Sequence, residues 1–180
     1  LAIDRDGRNL AAAQTRLARF GEVVTFVKDS YAHIKQHAQT HGFEQVNGIL
    51  LDLGFSSEHV DDAARGFSFQ SDGPLDMRYD TSQELTAAKI VNEWNEEDLA
   101  RIFRTYGEEK KARDVADAIV SDRIARPFTR TLELAACVAC VIPKHKGIHP
   151  ATRVFQALRI AVNDELGELT RAPPDFVDLL

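Results

Sequence analysis

The sequence predicts an α/β fold: a parallel sheet flanked by helices, with an all-helical insertion over residues 80–149. Three observations point there. Short apolar runs alternate with helix-patterned stretches over the first 54 residues, as in βαβ units. From residue 86 onward, apolar residues recur at intervals of three and four, the period of a helix face. Between them, Arg65–Asp80, "RGFSFQSDGPLDMRYD", shows neither period. So long a connection is uncommon in a compact domain unless it binds something.

In chain order, "LAIDRD" reads as a strand end, and "RNLAAAQTRLARF" spaces Leu10, Ala13, Leu17 and Phe20 along one helix face. A buried strand, "EVVTFV", precedes a helix in "SYAHIKQHAQTHG" that Gly42 closes, and "NGILLDLG" is a second apolar strand bounded by glycines. Parallel strands of this kind need cover on both faces and carry ligands beyond their carboxyl ends, where Asp4 and Asp52 fall. Four helices follow in "TAAKIVNEW", "NEEDLARIFRTYG", "EEKKARDVADAIVSDRIAR" and "TRTLELAACVACVI". Gly107 stops the second, and Pro127 with Thr129 restarts the chain before the fourth. A last helix opens near Pro150 with Phe155, Leu158, Val162, Leu166 and Leu169 along one face. The expected organisation is therefore 1–79 as a partial core, 80–149 as the insertion and 150–180 as a helix returning to the core.

At 44% hydrophobic and 28% charged, the 180 residues have the composition of an ordinary folded domain. No run is long and apolar enough for a membrane span, and the first residues do not read as a signal peptide. Two cysteines three apart suit a reduced compartment. The net charge of −6 argues against a nucleic-acid partner until its distribution is considered. Residues 101–160 hold twelve Lys or Arg against six acids, a local +6 on a body that is otherwise −12. Such a split suits a basic face for an anion, and equally a set of solvated helices.

Several residues could carry chemistry. Asp4 could accept hydrogen bonds from both hydroxyls of a ribose, or cap a helix. Asp52, in "LLDLGFSS", could hold an amine, with Gly54 permitting a sharp turn. Cys137, Cys140, His145 and His149 mimic a zinc series, but only four residues separate the pairs, so buried small helix residues are the better account of the cysteines. His33, His37 and His41 are four apart, lack an accompanying carboxylate cluster, and read as solvated. No metal is expected.

The segment "DDAARGFSFQSDGPLDMRYD" joined to "GILLDLGFSS", together with "RTYGEEKKARDVADAIV" and "HPATRVFQALRIAVNDELGEL", closely resembles the ribosomal RNA small-subunit methyltransferase H family. The resemblance implies a Rossmann-like class I methyltransferase core, its sheet incomplete here, with an inserted helical domain for substrate recognition. It implies cytoplasmic, S-adenosylmethionine-dependent methylation of the N4 amine of a cytidine in small-subunit ribosomal RNA, free or within the subunit. Asp4 would bind the cofactor's ribose, Tyr31 would lie near its adenine where the family generally has Phe, and Asp52 would line its pocket. His59 stands where a Gln contact is usual, and Phe55 replaces the usual Val. The family's "GxGGH" and "FHSLEDR" segments are not among these residues, which implies an internal fragment of a longer product, inactive alone.

On this reading Asp52 and Phe55 are the catalytic candidates, in a loose acid-x-x-aromatic layout. The irregular loop would fold over cofactor and extruded cytidine, buried by ligands rather than by a core of its own. Phe67, Phe69 and Met77 would pack on the base, Arg65 and Arg78 would meet phosphate, and Asp72 and Asp76 would pin the loop. Lys110, Lys111, Arg113, Arg123, Arg126, Arg130, Lys144, Lys146 and Arg153 are candidates for tracking the RNA backbone. Two rivals remain. A nicotinamide-dependent oxidoreductase would also place an acid at Asp4 but leaves the loop and basic insertion unexplained. A non-catalytic RNA-binding module fits the charge distribution without requiring a cofactor.

Overall fold

Residues 1–143 and 147–180 are described in the structure, a computed structural model. Along the chain run β1 (Ala2–Asp4), α1 (Gly7–Leu17), β2 (Phe26–Lys28), α2 (Ile34–Thr40), α3 (Ser57–Asp61), α4 (Ala87–Glu93), α5 (Glu96–Thr105), α6 (Ala112–Ala125), α7 (Thr131–Val141), α8 (Thr152–Asn163), α9 (Glu165–Arg171) and α10 (Pro173–Leu179). None of the described helices is long and apolar enough to cross a membrane.

The chain divides into two compact units, the first Leu1–Gly54, Tyr79–Ser82 and Asp164–Leu180, the second Phe55–Arg78 and Gln83–Asn163. These boundaries differ from the expected 1–79, 80–149 and 150–180. Most of the irregular loop, and α8, fall with the helices, because their side chains share the helical core.

In the first unit β1 and β2 pair in parallel through Ala2↔Phe26, Ile3↔Val27 and Asp4↔Lys28, with α1 as the crossover. Asp6, only 3% exposed, starts α1 by accepting the Arg8 amide at 2.8 Å. The helix ends three residues before Phe20. Residues Ala18–Val23 tighten into 3₁₀ turns with Gly21 at φ 58°, and Phe20 stays in solvent, so the expected stripe from Leu10 to Phe20 is cut short. The C-terminal segment completes this unit: the Val46 amide donates to the Leu179 carbonyl at 2.8 Å, and Lys35 pairs with Asp178.

The strand expected in "NGILLDLG" does not form. Residues 48–54 are irregular, Leu50 is 93% exposed and Asp52 is exposed. A strand satisfies its backbone only through a neighbour, and among the described residues only β1 and β2 form a ladder.

The second unit holds the hydrophobic core. Ile90, Leu99, Phe103, Ile119, Leu134 and Leu158, from α4 to α8, are 0% exposed. Each such side chain contributes about 1.5–3 kcal/mol on leaving water. The helix starts follow the sequence signals: Thr86 Oγ1 accepts from the Lys89 amide at 3.1 Å, and Asn95 Oδ1 accepts from the Asp98 amide at 2.8 Å. Gly107 sits where a Cβ would lie 2.4 Å from the Arg153 carbonyl, so α5 and α8 approach backbone to backbone there. The expected last helix breaks at Asp164, whose φ is 49°, and Leu166 and Leu169 are exposed rather than in line with the buried Phe155, Leu158 and Val162.

A cation and aromatic stack beside an anchored loop: the candidate functional site

The irregular loop is anchored rather than open. Leu75 and Met77 are 2% and 0% exposed and belong to the helical core, so the expectation that ligands alone bury this segment is overturned. Met77 is therefore closed to a flat ring. Apolar periodicity missed it because the loop contributes single residues to the core instead of a face.

The backbone shows how. Leu75 N donates to Thr129 O and Thr131 N to Gly73 O, both at 2.9 Å, a short antiparallel bridge onto the turn before α7. The Asp76 and Leu75 carbonyls receive the Ala87 and Ala88 amides at 2.8 and 2.7 Å, satisfying donors that α4 leaves unpaired at its first turn. The limbs nearly touch: a Cβ on Gly73 would lie 1.8 Å from the Ala63 carbonyl, and one on Gly66 2.1 Å from Pro74 O. Met77 adopts φ 64°, held by its amide on the Arg65 carbonyl at 3.0 Å and by Asn163 Nδ2 on its own carbonyl at 2.8 Å.

Asp72 and Asp76 tie the loop down by hydrogen bonds. Asp72 receives Arg130 Nε at 2.9 Å, and this bond chiefly holds its carboxyl below the usual range. Asp76 is gripped by Arg78 through Nε at 2.8 Å and Nη2 at 2.7 Å. Burial alone would raise the Asp76 pKa, but the side-chain and backbone bonds from Arg78, with the charges of Arg78 and Arg65, outweigh it and lower it. Arg78 also donates to the Gln83 carbonyl at 2.6 Å, and the buried Arg65 donates to the Arg78 carbonyl at 2.8 Å. Both guanidinium groups thus hold the loop together, whereas the sequence assigned them to phosphate.

Above this frame the second unit stacks cations on aromatics. The Arg159 guanidinium lies 4.4 Å from the Phe55 ring centre. Phe55 runs nearly parallel to Phe67, 6° between planes and 6.5 Å between centres, and Arg65 lies 5.6 Å from Phe67. His59 meets Phe67 edge-on at 5.0 Å. It is buried at 4% exposure, and its Nδ1 accepts the Ser56 amide at 3.0 Å, which puts the proton of the neutral ring on Nε2. Phe55 is 44% exposed, an aromatic surface open to a ligand. Phe69 instead packs on Phe155 at 4.8 Å and on His149 at 4.6 Å. Sequence reading missed Arg159 and His149 as partners of these rings. Arg159 lies within the block "HPATRVFQALRIAVNDELGEL", and its charge on an apolar helix was the available signal.

Of the basic candidates, Arg123 donates to the Val91 and Trp94 carbonyls at 2.7 Å, capping α4, while Arg126 pairs with Glu133 and Arg130 with Asp72. Lys110 and Lys111 are exposed, and Lys111 Nζ reaches the Val141 carbonyl at 3.2 Å. Arg153 lines a hollow of about 210 Å³ with Glu109, Ile142, Ile148 and His149. Lys144 and Lys146 lie outside the described residues. So does His145; of the other members of that series, Cys137 is buried in α7, with its thiol pushed up to about 12 by burial and then by Asp122.

In the first unit, Asp4 ends β1 with Oδ1 accepting the Asp6 amide at 2.7 Å, and among the described residues its Oδ2 has no hydrogen bond. Tyr31 is half-buried, its hydroxyl 3.5 Å from the Glu165 carbonyl; burial first, then the Glu168 and Glu165 charges, raise its pKa. The histidine expectation changes too. Asp29 supplies His33 and His37 with a carboxylate, at 3.1 and 2.7 Å, while His41 stays outside this cluster.

Comparison with known proteins gives this arrangement a family. The chain is 47% identical over 183 residues to the ribosomal RNA small subunit methyltransferase H of Geotalea daltonii, covering 100% of this chain and 59% of that protein. It is 48% identical over 183 residues to the Syntrophobacter fumaroxidans protein of the same name, covering 100% of this chain and 57% of that protein. With that of Rhodospirillum centenum it shares 52% identity over 171 residues, covering 94% of this chain and 52% of that protein. It spans little more than half the length of these curated relatives. The model of the MraW methylase family matches residues 1–180, and the chain belongs to that family.

Proposed function

We propose that the chain is part of an S-adenosylmethionine-dependent enzyme that methylates the N4 amine of a cytidine in small-subunit ribosomal RNA, on a Rossmann-like core with a helical recognition insertion, in the cytoplasm. The observation that carries this reading is the Arg159–Phe55–Phe67–Arg65 stack, built from the residues that resemble the family. A base-modifying enzyme takes its target out of the helix and needs a flat apolar surface to receive it. Stacking a base on an aromatic side chain is worth about 1–3 kcal/mol. The guanidinium groups pack on the rings and hold the platform, while Phe55 keeps 44% of its surface exposed.

The residues present fit the donor in part. The Oδ2 of Asp4 is an acceptor for a ribose hydroxyl, and Tyr31 supplies a flat ring for the adenine. When bound, the cofactor supplies an electrophilic methyl on a sulfonium. The chain's task is then alignment, since an in-line displacement owes much of its acceleration to positioning. The cytosine amine is a weak nucleophile because its lone pair is delocalised into the ring. Asp52 is assigned to accept the amine protons and so hold the lone pair toward the methyl. Lys110, Lys111 and Arg153 are assigned to the RNA backbone.

The test is transfer of labelled methyl groups to unmethylated small-subunit RNA by the full-length gene product. Asp52→Ala is expected to abolish transfer and keep RNA binding; retained transfer refutes its role. Phe67→Ala is expected to weaken RNA binding while S-adenosylmethionine still binds by calorimetry. The exposed, irregular setting of Asp52 favours the non-catalytic RNA-binding reading as runner-up. Failure of the full-length product to bind S-adenosylmethionine would establish that alternative.

A further inference from the structure

Just past β2, Asp29, His33 and His37 bring one oxygen and two nitrogens within 4.8 Å of one another. Nothing in the proposed methyl transfer uses them. Local structure aims all three. The Ser30 amide holds Asp29 Oδ1 at 2.7 Å, which leaves Oδ2 turned to His37 Nε2 at 2.7 Å and His33 Nδ1 at 3.1 Å. Ser30 Oγ accepts the Ala32 amide at 3.0 Å and fixes the 3₁₀ turn that ends at His33. One helical turn then places His37 on the same face.

Two imidazoles and a carboxylate are a donor set of catalytic zinc sites, which keep a fourth position for water. A tetrahedral ion with bonds of about 2.0–2.1 Å holds its ligand atoms roughly 3.3 Å apart, so the oxygen–nitrogen distances of 2.7 and 3.1 Å are already close to what it needs, and the two nitrogens, within 4.8 Å of each other, would draw together. Two nitrogen donors disfavour Ca²⁺ and Mg²⁺, which take oxygen. His33 is exposed, so an ion can enter and water can complete its shell. The alternative is that the two imidazoles simply hydrogen-bond to one carboxylate oxygen. Even so, that arrangement already turns the three ligand atoms toward one point, where an ion would take the place of the hydrogen bonds.

We propose that Asp29, His33 and His37 form a site for a divalent transition metal, with Zn²⁺ the best match, tying the end of β2 to the first turn of α2. The test uses the full-length gene product stripped with chelator and titrated with ZnCl₂ by calorimetry. One equivalent is expected to bind and to raise the melting temperature, reversibly with chelator. The double variant His33→Gln, His37→Gln is expected to lose at least tenfold in affinity together with the melting shift. No uptake by the unaltered protein, or undiminished affinity in the variant, would overturn the proposal. A second measurement needs no variant. Sub-stoichiometric Cu²⁺, which binds the same donors more tightly, should broaden the imidazole NMR signals of His33 and His37 before those of His41, His59 and His149. Broadening that begins elsewhere would overturn it too.

Discussion

Apolar side chains occur in both units, but one has taken far more of the large ones out of water. In the second, Val91, Leu99, Phe103, Val115 and Val138 are 0% exposed, whereas in the first Leu50 is 93%, Val23 82% and Val177 74% exposed. The difference follows from where each element finds its hydrogen bonds. A helix pairs its own backbone, so α4 to α8 need only one another's side chains to form a core. A strand pairs with a neighbour, and an apolar stretch such as 48–54 without a ladder partner has no means of burying itself.

That contrast can be broken most forcefully in the helical core. Phe103→Ala should cost about 3–5 kcal/mol in urea unfolding followed by Trp94, the chain's one tryptophan. Leu50→Ala should stay within about 0.5 kcal/mol; an equal loss at Leu50 would mean that the comparison is wrong. Next comes the loop's close approach. Gly73→Ala, whose Cβ would sit 1.8 Å from the Ala63 carbonyl, should destabilise the same transition by about 1–3 kcal/mol. A neutral outcome would show that the limbs can part without disturbing the core.

Smaller effects come from charge. Because its folded pKa is lowered, the Asp76 contribution is full above the ordinary carboxylate pKa and is lost as pH falls through the lowered value. Asp76→Asn should therefore cost about 1 kcal/mol near neutrality and remove that part of the acid dependence, read as stability against pH. The smallest effect is expected from the exposed pair Lys28–Asp80 at 2.9 Å, where Lys28→Ala should cost no more than about 1 kcal/mol, less in high salt. The Asp80 carboxyl, held at about 2 chiefly by the Ser82 amide and then by Lys28, should rise only part of the way toward 3.8 in an NMR titration of that variant.

The helical half of the fold was legible because caps and period agree: Thr86, Asn95 and Gly107 all sit where the sequence signals put a boundary. The strand at 47–54 was misread since apolar content reports what a segment would bury and is silent on whether a partner exists. Asp164 shows a different limit. Asn163 and Asp164 are residue types that tolerate the left-handed region, but that signal is weak beside the helical period around them, so one helix was expected where two form. At the site, the residue types of the loop were readable but their directions were not. Arg65 and Arg78 look like anion binders until the carbonyls and carboxylate that occupy them are seen, and Met77 looks like a lid until its backbone turns it inward. Asp29 was overlooked because it precedes the helix whose histidines it joins.

One bond, from the Val46 amide to the Leu179 carbonyl, joins the opening segment of the first unit to a segment made much later. During synthesis Phe55–Arg78 and Gln83–Asn163 are all present once Asn163 emerges, whereas residues 1–54 still wait for Asp164–Leu180. Of the two units, the one whose residues come earlier here gains its last contacts later, against the usual N-terminal priority of nascent chains. Until then β1, β2 and α2 are left without this segment, and a ribosome stalled before Asp164 would display them to chaperones.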